Sequence, residues 1–234
     1  MPKKLNDIVY ILKPDGITDE LKYSLRSVEA NFPHRRVWFV GGQPKGLTPD
    51  MALPHKQSGG NKWELIRSSM LKVITEPELT EEFFLFNDDF FIMKPVKGKF
   101  VNYAEKTLSW RIDDLKKTFP WLNHYGRTLV KAREELKCLG FGEINFEVHT
   151  PMLFNKSLVP SIMKCSSPQM RSVYGNVNGI PYVQRDDVKI YDMETVPKDA
   201  DYISTNDDIF QHGKVGEYIR DTFTKPSRFE RTEP

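Results

Sequence analysis

Runs of bulky apolar residues, broken by short polar stops, set the frame of this chain. Ile8-Val9-Tyr10-Ile11-Leu12 is apolar throughout and rich in β-branched residues, which predicts a first strand. Lys13-Pro14-Asp15-Gly16 breaks it, and Thr18-Asp19-Glu20 can cap a helix. In that helix Leu21, Leu25 and Val28 recur at helical spacing, and Asn31-Phe32-Pro33 ends it. Val37-Trp38-Phe39-Val40 predicts a second buried strand, closed by Gly41-Gly42. A strand–helix–strand unit of this length predicts a right-handed crossover between parallel strands. Residues 43–60 are punctuated by Pro and Gly and read as a long loop of the functional or mobile kind. Asn61 then caps a helix predicted from Lys62 to Ile74.

The central stretch is Phe83-Phe84-Leu85-Phe86 followed by Asn87-Asp88-Asp89 and a second apolar run, Phe90-Phe91-Ile92-Met93. The first run reads as a buried strand. Beyond it, residues 103–137 read as helical, with Leu108, Ile112, Leu115 and Phe119 on one face and Leu129 and Leu136 on another after the Pro120 break. Arg127, Lys131, Arg133 and Lys137 cluster there, either to meet a polyanion or as a solvated face balanced by Glu134 and Glu135. Ile144, Phe146 and Val148 alternate with Asn145, Glu147 and His149, predicting a strand with one polar face. Leu158 to Met163 predicts a short helix, Tyr202 to Thr205 a strand, and Val215 to Thr222 a last helix before a polar tail.

Composition narrows the class. The chain has 234 residues, 39% of them hydrophobic and 12% aromatic, which places it with globular proteins and supplies enough apolar surface for a core. A formal net charge of +2 neither requires nor excludes a polyanionic partner. The two cysteines, Cys138 and Cys165, imply no disulfide framework. The N-terminal residues carry no apolar signal region, and no stretch reaches the ~18 apolar residues of a membrane span. A cytoplasmic setting is expected. The lack of a linker, low-complexity segment or wider repeat predicts a single domain over residues 1–234, in two halves over about 1–100 and about 101–234.

Asn87-Asp88-Asp89 carries the candidate chemistry. Acidic side chains at the end of a buried strand are unfavourable unless something engages them. Mg²⁺ or Mn²⁺ takes oxygen ligands, relieves the mutual repulsion of Asp88 and Asp89, and holds nucleotide phosphates. Ligands of open α/β sheets bind at the carboxyl ends of strands, where this triplet is expected. An Asp-rich turn is the competing reading. Asn206-Asp207-Asp208 repeats the theme late in the chain, to complete a metal shell, to orient a hydroxyl, or as one more surface turn. Glu147 and His149 are candidates for acid–base work, or a solvent-facing strand edge. Gly41 and Gly42 allow close approach of a ligand, or simply a tight turn. Lys13, Arg26, Lys62, Arg67 and Arg171 are candidates for phosphate contact.

Several short blocks resemble the Stealth family. Asp7-Ile8-Val9-Tyr10 with Asp15-Gly16, and Glu20 through Glu29, look like its opening blocks. Phe84-Leu85-Phe86-Asn87-Asp88-Asp89 looks like its second, His149-Thr150-Pro151 with Arg171 like its third, and Thr205-Asn206-Asp207-Asp208 like its fourth. The chain lacks the Trp of the family's opening block and alters its spacing to Asp-Gly. The resemblance implies a nucleotide-sugar-dependent transferase of GT-A type, an α/β, Rossmann-like domain with a mixed, mostly parallel sheet. It implies Asp88 and Asp89 on metal or donor diphosphate, His149 as catalytic histidine, Arg171 on phosphate, Asp207 in the active site, and Tyr10 and Asp15 on the donor side. The expected function is metal-dependent transfer of a sugar, with a UDP-sugar as leading donor, to a hydroxyl of a glycan or a hydroxymethylated DNA base. Compact phage glycosyltransferases look similar at this level. Sugar-1-phosphate transfer for capsule-like polysaccharide, and a noncatalytic nucleotide-sugar or nucleic-acid binding module, are the alternatives.

Overall fold

The computed structural model describes residues 5–13, 19–55 and 62–230. Its centre is a five-stranded sheet. β1 (Asp7–Leu12) is flanked on one side by β2 (Val37–Gly41) and β3 (Met51–Pro54), and on the other by β4 (Glu82–Phe86) and β7 (Met152–Asn155). The order is β3-β2-β1-β4-β7, parallel except for the antiparallel edge pair β4–β7. The sheet is thus mixed and mostly parallel, within an α/β fold. The chain leaves β1 toward β2 and later returns to β1's other side as β4. The strand order therefore reverses between β1 and β4, and a crevice opens beyond their carboxyl ends.

Alternation along the buried strands splits the core into two layers. Ile8, Tyr10 and Leu12 face α1 (Asp19–Asn31), meeting its Leu21, Leu25 and Val28. Val9, Trp38 and Val40 face the other way, toward Met70 and Val73 of α2 (Lys62–Val73). Both faces are covered, which is why these strands read as unbroken apolar runs. Phe83, Phe86 and Phe154 are almost fully buried, each contributing about 1.5–3 kcal/mol by leaving water.

Two smaller ribbons flank the sheet. β5 (Phe90–Ile92) pairs antiparallel with β9 (Tyr202–Ser204), placing Phe90 opposite Ser204. β6 (Asn102–Ala104) pairs with β8 (Tyr182–Gln184). Small hydroxyls on α1 let β5 approach closely: Ser24 Oγ donates to the Phe90 carbonyl, and Ser27 Oγ accepts from the Ile92 amide.

Residues 103–137 are not one helical stretch. α3 (Leu108–Thr118) and α4 (His124–Cys138) are separate helices, with Thr107 and Asn123 as their side-chain caps. The segment over Ile144–Val148 forms no strand. Side chains take two of its amides, Ile144 N–H donating to Asn176 Oδ1 and Phe146 N–H to Ser172 Oγ, while Asn145 N–H donates to the Lys106 carbonyl. Asn145, expected on a polar face, is buried and donates to Glu105. Lys156–Lys164 is a 3₁₀ helix with Pro160 inside it. Among the described residues α5 (Met170–Val177), α6 (Asp207–His212) and α7 (Lys214–Thr222) complete the set of helices. The segment after α7 is docked on the body of the fold and is not a free polar tail. Phe229 is buried, Thr48 N–H donates to its carbonyl, and Glu230 pairs with Arg26. Among the described residues no helix is long and apolar enough to cross a membrane.

Candidate active site

β4 ends at Phe86, and Asn87-Asp88-Asp89 turns the chain into β5 at the carboxyl edge of the sheet. This is the crevice between the ends of β1 and β4. A cleft of about 330 Å³ opens here, lined by Lys13 from the end of β1, Asp88 and Asp89, Trp63 of α2, Tyr125 of α4, and Glu147, His149 and Lys189. A second chamber of about 220 Å³ shares Lys13, Asp88, Asp89 and Lys189 and adds Glu20, Asn206 and Asp207. Because β5 and β9 pair antiparallel, the triplet that precedes β5 and the triplet that succeeds β9 meet at one end of the ribbon. The two Asn-Asp-Asp segments are thereby brought together. A cavity of about 430 Å³ lies between Phe32, Phe84 and Phe100 near the opposite strand ends, but its one carboxylate is Glu82 and no histidine faces it.

Carboxylates crowd the inner chamber. Burial, then the charge of Asp89, raises the Asp88 carboxyl above its usual range. Glu20 is pushed up to about 8, chiefly by burial, with Asp207 and Asp89 adding to the rise and the hydrogen bond from Thr205 opposing it. One counter-charge is built in: Lys189 Nζ lies 2.6 Å from Asp89 Oδ2. Burial pulls Lys189 down, but Asp89 outweighs it and holds the ammonium above its ordinary value. The other oxygen, Asp89 Oδ1, is buried without a hydrogen-bond partner among the described residues.

His149 lines the same cleft. Its Nδ1 lies 2.9 Å from both oxygens of Asp187, and its backbone N–H donates to the same carboxylate. Burial raises the Asp187 carboxyl, but the His149 hydrogen bonds and charge outweigh it and hold it below the usual range. A proton held on Nδ1 by this carboxylate leaves the lone pair on Nε2 of a ring that lines the cleft. Glu147, half-buried beside it, accepts from the Ser172 N–H and has its carboxyl raised by burial.

The structure gathers Lys13, Asp88, Asp89, Glu147, His149 and Asp207 and disperses the rest. Arg171 is buried, and burial lowers its guanidinium. Three of its five N–H donors go to the Val148 and Thr150 carbonyls and to Asn87 Oδ1. It ties the histidine segment to the acidic turn. Tyr10 is a core residue whose hydroxyl lies 2.9 Å from Ser24 Oγ. Arg26 is committed to Glu230 and to the Phe223 carbonyl. Gly41 adopts φ 99°, and a Cβ there would lie 2.4 Å from the Leu12 carbonyl oxygen, to which Gly42 N–H also donates. That pair serves the turn after β2 and does not line the cleft. Arg67 donates to the Ser167 carbonyl and lines a neighbouring groove. Asp15 and the Lys62 side chain lie outside the described residues.

Asp187, Lys189 and Glu20 escaped sequence reasoning as site residues. Arg185-Asp186-Asp187 looks like any polar loop, and only its fold-back brings it beside His149.

No family model matches the chain, and no curated protein does either. Among solved structures, the chain is similar to a glycosyltransferase involved in the glycosylation of the major capsid of PBCV-1. The TM-score is 0.42 at 11% identity, over 95% of this chain and 100% of that one.

Proposed function

We propose that the chain is a glycosyltransferase that moves a sugar from a nucleotide-sugar donor to an acceptor hydroxyl. The observation that carries this reading is the meeting, in one cleft at the switch point of the sheet, of an acidic pole (Asp88, Asp89) and a histidine oriented by a carboxylate (His149, Asp187). The order of the Stealth-like blocks agrees with it, since Asp88, Asp89, His149 and Asp207 are the matched residues that meet.

Asp88 and Asp89 fit a divalent cation. Their crowded charge and the partnerless Asp89 Oδ1 both favour one, and the oxygen donors suit Mn²⁺ or Mg²⁺. Among the described residues no three acidic, His or Cys side chains form a ready metal cage. Mg²⁺ takes one or two carboxylates and completes its shell from water and phosphate. Such an ion, when bound, supplies positive charge against the leaving diphosphate. Lys13 and Lys189 add cationic charge at the same edge. His149 Nε2 takes the proton from the acceptor hydroxyl, and Asp187 stabilises the imidazolium that results. Glu147 and Asp207 are the rival bases. Trp63, Leu65 and Leu85 give the cleft an apolar wall.

A donor screen tests the reading. UDP-, GDP- and CDP-sugars are incubated with and without Mn²⁺, in the presence of glycan and hydroxymethylated DNA acceptors, and released nucleotide is monitored by chromatography. Metal-dependent release of nucleoside diphosphate is expected, with a UDP-sugar as first candidate. Release of a monophosphate moves the assignment to phosphosugar transfer, and silence with every donor and acceptor leaves only the binding-module reading.

A further inference from the structure

Gln169 is only 2% exposed, yet it lines the cleft. It stands at the N-terminal cap position of α5, but its side chain makes no capping bond. Its Nε2 instead donates to Thr128 Oγ1 of α4, at 2.6 Å. The neighbour fixes which end of the amide makes that contact. The Thr128 hydroxyl proton is spent on the Tyr125 carbonyl, 2.7 Å away, so Oγ1 accepts from the amide and cannot donate to it.

The other end of the amide, Oε1, is left over. Among the described residues it has no hydrogen-bond partner, although it is not sealed away from open space. The open space that Gln169 borders is the cleft. The Tyr125 hydroxyl, on the same wall, also has no hydrogen-bond partner among the described residues. Burial and the charge of Glu147 raise it above its usual range, which keeps its proton in place as a donor. A largely buried amide oxygen with nothing to accept from is unfavourable unless a ligand supplies the donor.

The position of these two groups says which ligand. The inner chamber shares Lys13, Asp88, Asp89 and Lys189 with the cleft, the charges suited to a metal and a diphosphate. Gln169, Tyr125 and His149 belong to the part it does not share. The unit whose hydroxyl gives its proton to His149 Nε2 therefore occupies the same part of the cleft as Gln169.

We propose that Gln169 is a specificity-determining residue for a sugar acceptor, its Oε1 accepting a hydrogen bond from a ring hydroxyl beside the one that reacts. His149 Nε2 and Gln169 Oε1 both accept, so the ligand presents two neighbouring donors, as vicinal hydroxyls do. The C–H face of a sugar ring suits the apolar wall of Ile11, Leu65 and Leu85. Among the described residues the unshared part has no Lys or Arg in its lining, so nothing there meets the phosphates that flank a base in DNA. The word acceptor rests on the glycosyl-transfer reading, whereas the hydroxyl contact at Gln169 does not.

The test is saturation-transfer NMR on the full chain with UDP and Mg²⁺ present. The probes are the methyl glycosides of glucose, galactose, mannose, xylose and N-acetylglucosamine, with the monodeoxy analogues of whichever binds best. Loss of one particular hydroxyl is expected to weaken binding about tenfold, because it leaves the Gln169 oxygen unpaired. Gln169→Met has similar bulk and no acceptor. It is expected to bind the parent glycoside and that deoxy analogue alike, whereas a mere packing defect would weaken every analogue in proportion and keep the preference. Thr128→Val, which frees the amide to rotate, should shrink the same preference, and it carries the test if Gln169→Met does not fold. No glycoside binding, equal binding of all deoxy analogues, or a preference retained in the variants overturns the proposal. Gln169-dependent binding of a single-stranded oligonucleotide bearing 5-hydroxymethylcytosine, without glycoside binding, overturns the sugar assignment. Calorimetry of UDP binding separates the two ideas: its absence, with Gln169-dependent glycoside binding intact, sinks the donor reading and leaves the Gln169 contact standing.

Discussion

Lys189 Nζ lies 2.6 Å from Asp89 Oδ2, and both side chains are nearly buried, at 13% and 14% exposure. The acidic turn at the end of β4 thus carries an internal counterion from a loop a hundred residues later. Removing one member of a buried pair strands the other, at about 3–5 kcal/mol. Asp89→Ala therefore combines two effects, loss of the site's charge and an unpaired ammonium. Asp89→Asn softens the second effect, because its amide oxygen still accepts from Lys189 although the charge is gone. For Asp89→Asn we expect donor turnover to fall at least a hundredfold while the melting temperature moves by only a few degrees. Asp89→Ala should lose both. Retained turnover in a folded Asp89→Asn protein would remove the acidic turn from the mechanism.

The His149–Asp187 contact makes a second expectation. Asp187 orients the ring and stabilises its protonated form, so Asp187→Asn leaves the histidine present but poorly poised. General-base catalysis is worth about 10²- to 10⁴-fold. Asp187→Asn and His149→Ala should each lower kcat within that range and leave donor KM nearly unchanged. If His149→Ala is harmless and Glu147→Gln is not, the base is Glu147.

Glu20 gives a pH signature. Its folded pKa is about 8 against an ordinary 4.5, because ionisation there is opposed by burial and by neighbouring carboxylates. A carboxyl with a raised folded pKa contributes stability that is fully present below about 4.5 and is lost as pH climbs through about 8. Glu20→Gln cannot ionise and can still accept from Thr205. Melting curves in metal-free buffer at pH 5, 6.5 and 8.5 should show wild type losing stability relative to Glu20→Gln as pH rises. Parallel curves across that range would mean Glu20 ionises freely.

The central strands were legible because a sheet covered on both faces demands unbroken apolar runs, and 8–12, 37–40 and 83–86 supply them. The Asn-Asp-Asp turn was legible for the same reason: carboxylates at a buried strand's end stand out. The pairing of the two triplets was not, because it depends on β5 meeting β9, three-residue strands whose register no local pattern fixes. Ile144–Val148 misled because alternation of apolar and polar residues also arises when side chains, here Ser172 and Asn176, replace a neighbouring strand as backbone partners. The basic residues misled for another reason. A guanidinium looks the same in sequence whether it is spent on carbonyls, like Arg171, paired with a carboxylate, like Arg26, or exposed in a groove, like Arg127.

Gly41 allows the turn and ligand readings of the glycine pair to be separated by experiment. Its φ of 99° is strained for any residue with a side chain, and an added Cβ would meet the Leu12 carbonyl oxygen at 2.4 Å. The left-handed backbone alone costs about 1–2 kcal/mol, and the clash adds to it because strand β1 cannot move without disturbing both core layers. At about 2–4 °C per kcal/mol for a chain of this size, Gly41→Ala should melt at least several degrees below wild type. Gly41 does not line the cleft, so nucleotide affinity per folded molecule should be unchanged. The opposite pattern, an unchanged melting temperature with nucleotide binding lost, would restore Gly41 as a ligand contact. The two readings thus predict opposite movements of two quantities that can be measured on one sample.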